Sequence, residues 1–118
     1  MPSADVNSVT EKIIGCAYRV SNSLGIGFVE KVHENALAHD IQTSSLKVVQ
    51  QAPIKVLYDG IVVGDFFADL LVDDLVLVEL KAVSMLMDEH VALSLNYLRA
   101  TGLEICLLIN FGTTKVQI

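Results

Sequence analysis

Apolar residues recur at helical spacing in three stretches of this chain, and in several others they alternate or run almost unbroken as strands do. Ile13, Ala17, Val20 and Leu24 predict a first helix, with Ser8-Val9-Thr10-Glu11 as a capping box at its start and Gly25 as its stop. Gly25-Ile26-Gly27 then reads as a short turn. It is too lean for a phosphate cradle, since no strand precedes it and the remaining glycine spacing is absent. A second helix is expected over about residues 28–43, with Glu30, His33, Glu34, Leu37 and Ile41 along one side. Polar residues lead that stripe and apolar ones finish it. Spacing alone favours a solvated helix start, with carboxylates at the positive end of the dipole, over a face dipping into a polar cleft. A lone His33 reads as a surface or packing residue.

Residues 47–58 alternate as a strand, with Val49, Gln51, Pro53 and Lys55 on one parity; Pro53 predicts an edge position because it cannot donate to a ladder. Asp59-Gly60 predicts a tight hairpin turn into residues 61–72, and the meander continues through Asp73-Asp74 to Lys81. A third helix is expected over residues 88–101, capped by Asp88 and closed by Gly102. His90, Leu93 and Tyr97 share one of its sides. Residues 104–110 read as a short buried strand, Phe111-Gly112 as a turn and residues 115–118 as a last strand. A meander, then a helix crossing to another strand, with two helices in front, predicts an α/β domain of two or three layers. The crossover rule makes the strand at 104–110 parallel to the one carrying Glu79, and the connection right-handed.

Three charges interrupt the apolar strands. The runs read Phe66-Phe67-Ala68-Asp69-Leu70-Leu71-Val72 and Leu75-Val76-Leu77-Val78-Glu79-Leu80-Lys81. An unpaired buried charge is costly, so Asp69, Glu79 and Lys81 must be paired, hydrated or given a cation. Mg²⁺ takes oxygen ligands and keeps several waters, and Asp69, Glu79 and the carbonyl of Leu80 are a sufficient set to hold it beside a phosphate. Lys81 would lower the pKa of the attacking water or neutralise charge on the phosphorane. The plainer alternative is a solvated Glu-Lys pair at a strand end. Geometry discriminates: a two-residue turn at Asp73-Asp74 would pair Asp69 with Val78 and put Glu79 on the wrong side. A three-residue loop Asp73-Asp74-Leu75 instead opposes Asp69 to Glu79, and Asp74 tolerates the left-handed backbone such loops use.

Composition bounds the setting. The 118 residues predict one domain, 1–118, and 53% hydrophobic content with mean hydropathy +0.54 leads us to expect apolar surface that meets a second subunit in a homodimer. No run reaches the roughly 20 apolar residues of a membrane helix, and Met1-Pro2-Ser3-Ala4-Asp5 is not a basic-then-apolar leader, so a cytoplasmic location without membrane contact is expected. A net charge of −6 argues against a nonspecific grip on a polyanion. The basic residues are scattered, so any basic groove must be assembled by folding or dimerisation. Cys16 and Cys106 lack metal-binding spacing and read as small buried hydrophobes.

Several segments, in order, resemble the GxxExxY family, which is placed in the PD-(D/E)XK nuclease superfamily. They are Gly27-Phe28-Val29-Glu30-Lys31-Val32-His33, Gln51-Ala52-Pro53, Tyr58-Asp59-Gly60, Ala68-Asp69-Leu70-Leu71-Val72, Val78-Glu79-Leu80-Lys81-Ala82-Val83, Asn96-Tyr97-Leu98-Arg99-Ala100-Thr101-Gly102 and Leu107-Leu108-Ile109-Asn110-Phe111-Gly112. The resemblance implies a PD-(D/E)XK nuclease-like mixed β-sheet flanked by helices, and a Mg²⁺- or Mn²⁺-dependent phosphodiesterase acting on DNA or RNA. It puts Asp69, Glu79 and Lys81 on the signature positions, gives Glu30 a share in holding metal or orienting water, and turns His33, Tyr97 and Gln51 toward substrate. Two residues depart from the family pattern. His33 stands where the name-giving motif usually has Tyr, and Leu93 stands where a Gln-x-x-x-Tyr pattern has its Gln. An apolar side chain cannot contact the attacking water, so a noncatalytic interaction or nucleic-acid-binding module of the same fold is the competing reading.

Overall fold

Three helices with apolar stripes need a surface that is apolar on both faces, and four strands supply it. The computed structural model describes residues 5–118. Its elements are α1 (Val6–Leu24), α2 (Glu30–Thr43), β1 (Val48–Tyr58), β2 (Ile61–Val72), β3 (Val76–Lys81), α3 (Asp88–Thr101) and β4 (Ile105–Asn110). The sheet order is β1-β2-β3-β4, with β1/β2 and β2/β3 antiparallel and β3/β4 parallel. Pro53 lies on an edge strand, as expected. Strand alternation divides the core. Val76, Val78 and Leu80 join Ile13, Val20, Leu37 and Ile41 beneath α1 and α2, while Leu77 faces Tyr97 beneath α3. The result is a mixed sheet flanked by helices, the architecture the sequence predicts.

The turns follow residue chemistry. Asp59 and Gly60 both have positive φ (52° and 77°), as a tight hairpin requires. Leu70 pairs with Val78, Leu71 with Leu77 and Val72 with Val76, so the next connection is the three-residue loop Asp73-Asp74-Leu75. Asp73 and Asp74 take the left-handed conformation, and Asp73 anchors the loop by accepting the Lys47 N–H at 2.8 Å.

Three boundaries differ from the sequence expectation. The N-cap of α1 is Asp5, whose carboxylate accepts the Asn7 N–H, and not Ser8: the apolar stripe extends one turn upstream to the buried Val9. Met87 takes the cap position of α3 in place of Asp88, and its N–H donates to His90 Nδ1 at 2.9 Å. Asp88 and Glu89 instead fill the first turn, where the helix dipole favours them. Residues 115–118 form only one bridge, Asn110 to Gln117. The Phe111 N–H turns inward to the Lys81 carbonyl, so that ladder has no next rung. Both cysteines are free, Cys16 buried and Cys106 partly so.

Two local devices fix the residues around the end of β3. Asn110, wholly buried, accepts N–H bonds from Val83 and Gly112 at 3.0 Å each and donates to the Val83 carbonyl and to Gln117 Oε1 at 2.9 Å each. Gly112 lies so close that a Cβ would collide with the main chain of Ala82 and Val83. Across the sheet, Gln51 has φ 53° and interrupts the pleat of β1. On its N-terminal side Val48 packs beneath the first two helices, yet Ile54, of the same parity, is buried on the face that α3 covers. One left-handed residue thus turns the hairpin over, and the single parity expected for Val49 through Lys55 does not hold.

Replacing Asn110 by Ala strands buried donors and an acceptor on Val83 and Gly112. Each such group costs about 1–3 kcal/mol, so urea unfolding of Asn110→Ala should show a loss of about 3 kcal/mol or more at unchanged m value.

Candidate active site

The β2/β3 ladder ends at Leu70 and Val78, and beyond it β2 continues with β1 while β3 continues with β4. The sheet forks. At the fork two carboxylates replace the missing main-chain acceptors. Glu79 Oε1 accepts the Asp69 N–H at 3.0 Å, and Asp69 Oδ2 accepts the Leu80 N–H at 2.8 Å. Charged acceptors make these bonds stronger than ordinary ladder bonds. The opposition of Asp69 to Glu79 expected from a three-residue loop is present, in the form of a reciprocal side-chain clasp.

α2 brings two more carboxylates. Glu30 opens the helix and Glu34 lies one turn on, where it is 1% exposed. Glu34 accepts from Lys31 Nζ at 3.0 and 3.1 Å, from Gln50 Nε2 at 2.9 Å and from Gln51 Nε2 at 3.0 Å. Adjacent glutamines on a regular strand point to opposite faces; the left-handed Gln51 lets both reach one carboxylate. Gln51 also donates to Asp69 Oδ1 at 3.3 Å, which links the helix to the fork. The helix stripe therefore faces inward, and the solvated reading of its polar residues is overturned: with the kink in β1, amide donors line the pocket into which the helix points. Glu34, absent from the candidate site residues, is the group the stripe had already marked, four residues after Glu30.

These carboxylates share one electrostatic environment. Burial, then repulsion from Asp69, pushes the Glu79 carboxyl up to about 7. Asp69 and Glu30 are raised for the same first reason, with Glu34 adding to each. Lys81 opposes all three shifts, yet it lies within 4.0 Å of no carboxylate in the ion pairs of the described residues. On the face that α3 covers, which Glu79 shares with Leu77, Tyr97 is close enough for Glu79 and Asp69 to help raise its phenol, after burial.

The remaining candidates separate. Leu80 contributes main chain only, its side chain being buried in the core. His33 is 1% exposed, donates from Nε2 to the Gly25 carbonyl at 3.0 Å and stacks on Phe111 with ring centroids 4.7 Å apart. It packs the helix start against the sheet and is not among the groups that perturb the clasp. Leu93 lines a cleft beside Tyr97. Among the described residues, no three His, Cys, Asp or Glu side chains converge as a ready metal cage.

A protein-family model for the PD-(D/E)XK nuclease superfamily matches residues 7–118. The chain belongs to that superfamily. No curated protein and no solved structure matches it. Membership in the PD-(D/E)XK superfamily accounts for the mixed sheet and suggests nuclease-like phosphodiester chemistry, and nucleases of this superfamily generally use divalent metals. No helix among the described residues is long and apolar enough to cross a membrane.

A carboxyl whose folded pKa lies above its unfolded value stabilises the fold below the unfolded pKa, and that contribution is lost as pH rises through the folded one. For Glu79 the window runs from about 4.5 to about 7. The urea midpoint should therefore fall across that range, and Glu79→Gln, which keeps an acceptor for Asp69, should flatten the fall.

Proposed function

We propose that this protein is a divalent-cation-dependent phosphodiesterase that cleaves DNA or RNA at the fork of its sheet, as a member of the GxxExxY group within its superfamily. The observation that carries the reading is the Asp69–Glu79 clasp, with Lys81 on the same strand and unpaired. A buried Glu79 and a half-buried Asp69, both raised by burial and Glu79 further by Asp69, are a donor set in need of positive charge, and oxygen-only donors suit a hard cation such as Mg²⁺ or Mn²⁺. Asp69, Glu79 and the Leu80 carbonyl would hold it, with Glu30 completing the acidic wall. Such a cation, when bound, supplies Lewis-acid stabilisation of the phosphate and a more acidic water.

The chain's own residues have distinct parts. Glu30, nearest the open end of α2, accepts a proton from the attacking water as the new oxygen–phosphorus bond forms. The Lys81 ammonium offsets the negative charge that builds on the phosphate as the ester bond breaks, and the leaving oxygen takes its proton from solvent water. Glu34 and Gln51 position Asp69 through hydrogen bonds. The exposed apolar tip of the β1–β2 hairpin, Tyr58 and Ile61 to Val63, supports the expectation of a homodimer.

Leu93 favours a second reading, a binding module that retains the fold without cutting. Two measurements decide between them. Calorimetry with Mg²⁺ and Mn²⁺ at pH 7 should show binding with release of protons, because a cation lowers the raised carboxyl pKa values. On single- and double-stranded DNA and RNA, cleavage should require the cation and fall about a hundredfold or more in Lys81→Ala. Cleavage without metal, or cleavage indifferent to Lys81, rejects the phosphodiesterase.

A further inference from the structure

Besides the fork, the described residues form a cleft of about 590 Å³ between the β1–β2 hairpin and α3. That volume is in the range of pockets that enclose small organic ligands, roughly 300–1,000 Å³. From the hairpin come Phe66 and Lys55; from α3 come Leu93, Asn96, Tyr97 and Arg99. The cleft is mostly apolar, with cations as its only charged residues. In a chain of net charge −6 that is a local reversal of sign. Neither cation is in the ion pairs of the described residues, which engage Arg19, Lys31 and Lys47.

The apolar part is shaped for a flat ring. Phe66 is 43% exposed, and its ring and that of Tyr97 have centroids 6.0 Å apart at 48°, so they form an angled wall open at the Phe66 side. Gly64, two residues earlier on the same strand face, makes room for the ring: a Cβ there would stand 2.9 Å from Phe66 Cε2. Asn96, exposed, offers both a donor and an acceptor to a ring edge. At its inner end the cleft reaches Tyr97, which feels the charges of Glu79 and Asp69. Tyr97 thus stands between the cleft and the acids of the fork.

We propose that this cleft seats one unpaired nucleotide of a single-stranded nucleic acid, its base against Phe66 and Leu93 and its flanking phosphates on Lys55 and Arg99. The inference rests on the phosphodiesterase reading for the identity of the polymer, and it adds that the substrate is single-stranded. A base held in a duplex cannot enter a cleft that admits one ring, whereas an unstacked base can, and aromatic stacking with nearby cations is how proteins hold single strands without sequence preference.

The test is fluorescence anisotropy in EDTA, with fluorescein-labelled single-stranded DNA and RNA of about 12 nucleotides and the corresponding duplexes. Single strands should bind at least about tenfold tighter than duplex. Phe66→Ala should weaken single-strand binding by about tenfold, as loss of one stacked base does, and Lys55→Gln/Arg99→Gln should lower the salt slope by about 1.4. All three side chains are substantially exposed, and a circular-dichroism melt verifies that the variants fold. Equal affinity for duplex, absence of binding, or indifference to these substitutions overturns the proposal. Sedimentation velocity covers the rival occupant: if Phe66→Ala turns a dimer into a monomer, the face belongs to a second copy and the proposal fails. The two readings fail separately. Single-strand binding in EDTA without cleavage in Mg²⁺ or Mn²⁺ leaves the cleft assigned and removes the phosphodiesterase, and cleavage unaffected by Phe66→Ala does the reverse.

Discussion

Where β2 parts from β3, two main-chain N–H groups lose the carbonyls that a continuing ladder would have given them, and the carboxylates of Asp69 and Glu79 take their place. The parting of the strands explains why acids stand inside apolar runs. A buried N–H without a partner costs free energy, so a fork in a sheet must be stitched by side chains; a carboxylate is the strongest acceptor available and is charged besides. The stitch that holds the fork open is also the acidic pair that makes the fork a candidate active site. Removing either acid therefore disturbs shape and chemistry together, which is why conservative amide variants and cation binding are more informative than alanine substitutions.

The arrangement is held under electrostatic tension. Burial and repulsion from Asp69 raise the Glu79 carboxyl to about 7, and Asp69 and Glu30 move the same way, burial first. A site designed only for stability would have used neutral partners. Glu34 shows the contrast. It is the most buried of the four acids, yet a lysine and two glutamines surround it, so its oxygens are satisfied within the protein. Its Gln51 bond, shared with Asp69, makes it the strut between α2 and the fork. The acid with a lysine partner positions, and the pair without a cation among the ion pairs of the described residues is the one an incoming positive charge would meet.

Much of this was legible in the sequence. The Asp73-Asp74-Leu75 loop could be derived from parity, because only an odd loop sets Asp69 against Glu79, and the observed register agrees. Helix ends marked by Gly25 and Gly102, and the turn at Asp59-Gly60, followed from the conformations those residues tolerate. What stayed hidden depends on long-range contacts. Nothing local in Gln51 announces a positive φ, since glutamine has no special tolerance for it; the surroundings impose it, and the hairpin turns over there. With that turn unseen, the acidic start of α2 read as solvated. Likewise residues 115–118 alternate well enough for a strand, but the inward turn of Phe111 leaves them one bridge.

The acidic composition argues against a nucleic-acid partner only if charge is averaged over the surface. Three of the eight cations are consumed in ion pairs, at Arg19, Lys31 and Lys47. Of the others, Lys55 and Arg99 line the α3 cleft and Lys81 acts on the acids of the fork. The kink at Gln51 swings the hairpin onto the α3 face, and with it Lys55 comes to share a cleft with Arg99, 44 residues away in sequence. The net charge of −6 would repel a polyanion elsewhere on the surface. If the cleft seats a single strand as proposed, negative net charge would work as a filter: it would suppress the nonspecific duplex binding that a basic surface invites, and leave the cleft as a place where the local sign is reversed.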